Sequence, residues 1–232
     1  KSLLDEALAS CQKALDLDKN LAEAHASRGY ALSLGGNVDA GEEEFKKAIA
    51  LDPMLYEAYW YSGMFRATRR NNLVTASQMF QKTSQVRGAD LQSLGMLMLC
   101  FRGMEQDAKL LSVAQYTYEI ADRRLNLNPD DARAAYSGAM ALVYLNENEK
   151  ALALGNLAAE LASPDSRTHY NIACVFSLLG KTRTSLDHLE KAIRYGRPVE
   201  RMKWAKADPD LSPIRSEKRF HELMDLWVEL QP

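Results

Sequence analysis

The chain is poor in cysteine. Cys11, Cys100 and Cys174 are the only three in 232 residues, far apart and without a CxxC pair. That count and spacing exclude a disulfide framework and a cysteine-built zinc site. Each lies on an apolar helical stripe, where a buried free thiol belongs, and the expected setting is a reducing, cytoplasmic one. Long apolar runs are also missing. None approaches 18 residues, so no transmembrane helix is expected, and the sequence does not open on a secretory leader pattern. Neither sign of charge dominates. Lys plus Arg number 29 and Asp plus Glu 31, for a net charge of −2, which excludes a general attraction to nucleic acid or to anionic membrane. Arg66, Arg69 and Arg70, and Arg194, Arg197 and Arg201, are read as solvated helix faces, as is the acidic run Glu42–Glu44.

Catalytic signatures are absent as well. The sequence contains no P-loop, GxGxxG, GxSxG or HExxH. Of the four histidines, His25, His169, His188 and His221, none has carboxylates at a local spacing that would suit metal binding or acid–base work. His25 and His169 take equivalent places near the start of a helix and are assigned to packing. No catalytic residue, metal or cofactor is expected.

What the chain does have is a repeating helix pair, clearest in residues 22–55, AEAHASRGYALSLGGNVDAGEEEFKKAIALDPML. Ala24, Arg28, Gly29 and Leu32 mark one face of a first helix. Gly35-Gly36-Asn37 makes a turn that needs left-handed backbone. Asp39, three before Glu42, is placed to cap the second helix in a capping box. That helix buries Phe45, Ala48 and Ile49 and stops at Pro53. Gly29 recurs as Gly63, Met98, Ala139 and Ala173, at spacings of 34, 35, 41 and 34. Ala48 recurs as Ala14, Thr83, Arg124, Ala158 and Ala192. A helix-turn-helix period near 34 is the tetratricopeptide (TPR) pattern, and residues 3–198 resemble TPR repeats. Arg28, Gly41, Ser62 and Arg66 depart from the residues that pattern prefers.

The expected organisation is a half unit over 3–21, units over 22–55, 56–90, 91–131, 132–165 and 166–198, and a cap over 199–232. Residues 3–17 match only a second helix. They are read as the remainder of a longer chain with Leu4, Leu8, Cys11 and Leu15 partly uncovered, or as a natural N-terminal cap, and residues 3–17 are a candidate for self-association. The second unit carries one extra residue near Arg69–Asn72. The third exceeds the period by seven residues, close to two turns, which predicts one long helix from Gln106 to Leu127. Its apolar stripe is Leu110, Val113, Ala114, Tyr118, Ala121 and Leu125. After the repeats come DPDLSPIR at 208–215 and a helix at 218–230 with Phe220, Leu223, Met224, Trp227 and Leu230 on one stripe. The fold class is all-α, a right-handed TPR superhelix (α-α solenoid) with a C-terminal capping helix.

The long third unit, YNIACVFSLLG at 170–180 and DPDLSPIR together resemble the C-terminal TPR regions of bacterial signalling proteins. There such regions are attached to adenylate cyclase, protein kinase or winged-helix DNA-binding domains. The TPR resemblance also implies a concave groove lined by the first helices. By register, its lining is Glu23 and Tyr30, then Glu57, Trp60, Tyr61 and Met64, then Leu99 and Arg102. Arg133, Tyr136 and Met140 follow, and then Arg167, Tyr170, Asn171 and Cys174. Arg167–Asn171 resembles the pair with which some TPR domains hold a terminal carboxylate, whereas Arg133–Ser137 lacks the asparagine. The expected function is a non-enzymatic scaffold that binds a protein or peptide segment in this groove, with acidic residues toward its N-terminal part and arginines toward the other. It would serve as a regulatory module of a larger signalling protein. The alternative is a sensor that binds a small ligand in the groove.

Overall fold

The computed structural model describes residues 3–68, 72–196 and 205–230. The helices are α1 Leu3–Leu17, α2 Ala22–Leu34, α3 Val38–Leu51, α4 Tyr56–Thr68, α5 Leu73–Val86, α6 Leu91–Gly103, α7 Asp107–Leu127, α8 Ala132–Tyr144, α9 Asn148–Leu161, α10 Ser166–Leu178 and α11 Thr182–Arg194. A 3-10 helix, Pro209–Ile214, and α12, Lys218–Glu229, follow. No strand occurs among the described residues. The expected extra residue near Arg69–Asn72 falls mostly outside them. Contacts divide the chain into an N-terminal body, 1–110, and a C-terminal body, 111–232.

In the N-terminal body the helix pairs close through small residues. A Cβ on Gly29 would stand 2.9 Å from the Gly41 carbonyl oxygen and 2.9 Å from the Phe45 ring. A Cβ on Gly63 would stand 2.8 Å from the Phe80 ring. Phe45 and Phe80 are thus the same knob one period apart, both fully buried. Cores of this kind tolerate almost no added volume. The second-helix positions Ala48 and Thr83 are fully buried as well.

In the C-terminal body, Gly138 of α8 lies against Ala121 of α7 and Leu154 of α9. Ala139, Ala158, Ala173 and Ala192 are fully buried. The long α7 forms as the apolar stripe predicted, with Ala114 and Ala121 fully buried. Seven added residues return the helix to nearly the same face. Along α12, Phe220, Leu223, Met224 and Trp227 join the core formed with Leu186, Leu189 and Ile193 of α11. Leu230 does not join them: it stands just past the helix end and is 45 % exposed.

Side chains cap four of the α-helix starts, and the cap expected for α3 is not among them. Asp90, Asp131 and Asp165 each cap the helix that follows by accepting a backbone N–H. Asn72 does the same for α5. Asp39 does not cap α3. The N-cap is Asn37, which makes no side-chain bond, so Asp39 already lies inside the helix. The capping-box partner Glu42 is instead held by Arg66 of α4, whose Nη2 donates to it over 2.9 Å. The expected exposure of α1 holds for Leu4, Leu8 and Cys11, which are half-buried, but Leu15 is buried.

Candidate interaction surfaces

The first-helix residues singled out in the N-terminal body separate into two groups. Tyr30 of α2 and Tyr61 of α4 stack, ring centroids 4.6 Å apart and 15° between planes. Both are half-buried. They line an open apolar groove of about 450 Å³ with Leu3, Leu4, Ala7 and Cys11 of α1 and Ser27, Ala31 and Leu34 of α2. Burial raises the Cys11 thiol pKa, with the nearby Arg28 charge opposing it, so the groove thiol stays protonated and presents an apolar wall. Trp60 points elsewhere. It stacks on Tyr56 at 6.0 Å and meets Phe80 edge-on at 5.4 Å, so its ring is spent between α4 and α5. Met64, Leu99 and Arg102 are half-buried. The acidic end is weaker than expected: Arg87 donates to Glu57 over 2.7 Å and lies 3.7 Å over the Tyr56 ring, leaving Glu23 as the exposed carboxylate.

In the C-terminal body the chain covers part of its own expected groove. Tyr170 is only 5 % exposed and cannot line an open face. Its phenol donates to Asp208 over 2.5 Å, and the Tyr144 phenol donates to Asp210 over 3.0 Å. Burial, followed by the Asp208 charge, pushes the Tyr170 phenol well above its ordinary range, which keeps it a donor. Cys174 is buried in the same cluster, which includes Leu211 and Ile214, and Met140 packs against it. The DPDLSPI segment therefore lies on α10 and reaches α8, with Asp208 capping its own 3-10 turn. Sequence periodicity missed this because the segment follows no helical repeat; the signal was two carboxylates spaced to meet two tyrosines. Tyr136 packs against the α9–α10 core. Arg133 and Arg167 are exposed. The Asn171 amide donates to the Arg167 carbonyl over 2.8 Å, so that pair is not arranged as a carboxylate clamp.

Two buried polar pairs recur at one spacing. His25 Nδ1 meets the Glu44 carboxylate at 2.7 Å, and its Nε2 meets the Lys19 carbonyl at 3.0 Å. One body later, His169 Nδ1 faces His188 Nδ1 at 2.9 Å. Burial raises the Glu44 carboxyl, but hydrogen bonds from Lys47 and His25 outweigh it and the pKa is lowered. These pairs join first to second helices, which is the packing role expected for His25 and His169. Among the described residues no three His, Cys, Asp or Glu side chains come together as a metal site. No described helix is long and apolar enough to cross a membrane.

Comparison with known proteins agrees with this architecture. Residues 22–53 match the tetratricopeptide repeat family. Anaphase-promoting complex subunit 3 of Schizosaccharomyces pombe is 23 % identical over 184 residues, which cover 79 % of this chain and 26 % of that protein. The chain thus spans about a quarter of the length of that relative. YrrB, a TPR protein with an unusual peptide-binding site, aligns with a TM-score of 0.51 at 21 % identity, covering 83 % of this chain and 95 % of that one. PilF of Pseudomonas aeruginosa aligns with a TM-score of 0.57 at 18 % identity, covering 96 % and 90 %. Helix pairs closed by small residues at a period near 34, with a terminal helix on the last pair, give this chain the all-α fold of the tetratricopeptide repeat solenoids.

Proposed function

We propose that this chain is a non-enzymatic interaction module that binds a protein segment in the groove of its N-terminal body. The observation that carries the reading is the stacked Tyr30–Tyr61 pair lining an open apolar groove of about 450 Å³. A soluble fold gains nothing by leaving aromatic surface beside open apolar space, and such patches mark binding sites. Tyrosine is also among the residues that most often dominate interface energetics. The likeness to YrrB supports the fold on which such binding is built. In a larger signalling protein the module would regulate an attached domain, a role supported by the resemblance carried by YNIACVFSLLG and DPDLSPIR.

The test is a peptide array against the purified chain, followed by titration of the best binders. Tyr61→Ala is expected to weaken binding by about 2 kcal/mol or more, the cost of losing a central anchor. Equal binding of all peptides by the parent and the Tyr61→Ala chain would overturn the reading. A thermal shift produced by small apolar ligands and by no peptide would support the small-ligand alternative instead.

A further inference from the structure

We infer that the groove is half of a self-complementary interface, and that its occupant is α1 of a second copy of this chain, laid antiparallel across α1 of the first. This rests on the interaction reading above and names the partner of the same groove.

Two rows of residues run along α1. Leu4, Leu8, Cys11 and Leu15 turn toward the body, the first three half-buried and Leu15 buried. Leu3, Ala7, Ser10, Ala14 and Leu17 form the second row, each one residue earlier or at the next step of the same spacing. This second row is open: Leu3 is 86 % exposed, Leu17 is 91 % exposed, and Ala7 and Ser10 are exposed too. Its steps are four, three, four and three, the spacing of a seam along which one helix meets another. Leu-Ala-Ser-Ala-Leu also reads the same in both directions. Two copies related by a twofold axis at Ser10 therefore set Leu3 against the partner's Leu17 at each end. The small residues meet in the middle, where they let two helices approach closely. Ser10 brings no unpaired hydroxyl there, since its Oγ donates to the Glu6 carbonyl over 2.8 Å.

Charge selects the direction. Glu6 and Lys13 are both exposed and stand seven residues apart, so they flank the seam on one side. Antiparallel pairing brings each Glu6 beside the partner's Lys13, which makes two reciprocal ion pairs that parallel pairing does not make. The groove lies on the other flank. Leu4, in the first turn of α1, reaches Gly35 at the end of α2, so α1 and α2 are themselves antiparallel. They turn Leu4, Cys11, Tyr30 and Leu34 toward the groove. Two such helix pairs joined across the axis make a four-helix bundle with the two grooves as its interior. The same face is then both seat and occupant, so the contact closes as a dimer and leaves no open end. Helices of 15 and 13 residues are about 20 Å long and about 10–12 Å across. Four such faces bury roughly 1,000 Å², the lower end of what specific association needs, so the dimer is of micromolar strength. A face complementary to itself in apolar pattern and in charge is what a second copy requires and what a different partner does not.

The test is sedimentation velocity of the whole chain across the micromolar range, with variants at exposed positions of α1 that leave its buried row intact. The parent is expected to show a monomer–dimer equilibrium. Ser10→Glu sets two carboxylates together on the axis and is expected to weaken the dimer about tenfold or more. Glu6→Lys and Lys13→Glu each set like charges side by side and are expected to weaken it several-fold. The two together exchange the charges and are expected to restore the parent equilibrium, which neither a misfolded chain nor a contact elsewhere would do. Peptides that bind in the groove are expected to dissociate the dimer. A chain that stays monomeric throughout overturns the inference, as does a dimer that ignores Ser10→Glu or that the charge exchange fails to restore. In either case, peptide binding lost on Tyr61→Ala leaves the interaction reading standing, and peptide binding that ignores Tyr61→Ala overturns that reading as well.

Discussion

His188 faces His169 nitrogen to nitrogen at 2.9 Å, a geometry with room for one proton between the rings. Burial first, then the positive charges of His169 and Lys191, push the His188 pKa down to about 4, with Asp187 opposing. In the unfolded chain the ring takes its proton near the ordinary value of about 6.5. Between those values the unfolded state holds more protons than the folded one. Stability is therefore fully present above pH ~6.5 and is lost as pH falls toward ~4. Thermal melts across that window are expected to show a falling midpoint in the parent chain and a flatter one in His188→Leu; identical slopes would show that the pair does not titrate this way. At the same scale, Glu105 is a non-glycine residue held at φ 55° in the turn before α7, where Gly36 and Gly180 hold equivalent turns at 86° and 68°. A left-handed side-chain-bearing residue costs about 1–2 kcal/mol, part of which glycine returns as unfolded-state entropy. Glu105→Gly is expected to stabilise the chain by about 0.5–1 kcal/mol in urea denaturation.

At the scale of elements, the terminal helix is held by what it buries and not by its length. Phe220 is fully buried among Leu186, Leu189 and Met224, while Leu230 lies outside that contact. Phe220→Ala is expected to cost about 3–5 kcal/mol, and Leu230→Ala to stay within about 0.5 kcal/mol, both measured by chemical denaturation. The 3-10 segment is held differently, by phenol donors to carboxylates. Tyr170→Phe removes one hydrogen-bond donor to the buried Asp208 carboxylate, which costs about 1–3 kcal/mol. Hydrogen exchange at 209–214 is expected to quicken in that variant, and unchanged protection would show that the apolar contacts of Leu211 and Ile214 hold the segment alone.

At the scale of the whole molecule, the groove is built entirely from residues of the N-terminal body. Tyr61→Ala is therefore expected to abolish most peptide affinity, while Arg133→Ala, exposed on α8, leaves the groove affinity within error in the same titration. Much of the architecture was legible in advance. The small residues at a period near 34, the long third-unit helix and the terminal apolar stripe are all local patterns, because a helix writes its buried face into its own spacing. The binding surface was legible only in part. Register placed Tyr30, Trp60 and Tyr61 on first helices, but neighbours one hundred degrees apart on a helix meet different partners. Tyr61 found Tyr30 and the groove, and Trp60 found Phe80. Asp39 failed as a cap because the left-handed turn at Gly36 let the helix begin at Val38. Tyr170 failed as a surface residue because Asp208, 38 positions away, reached it. By itself, then, the sequence determined the helices, their order and the faces they bury, since those depend on contacts three or four residues apart. Only the tertiary structure decided which aromatic side chains stay open and which the chain covers itself, because that depends on groups distant in sequence competing for the same space.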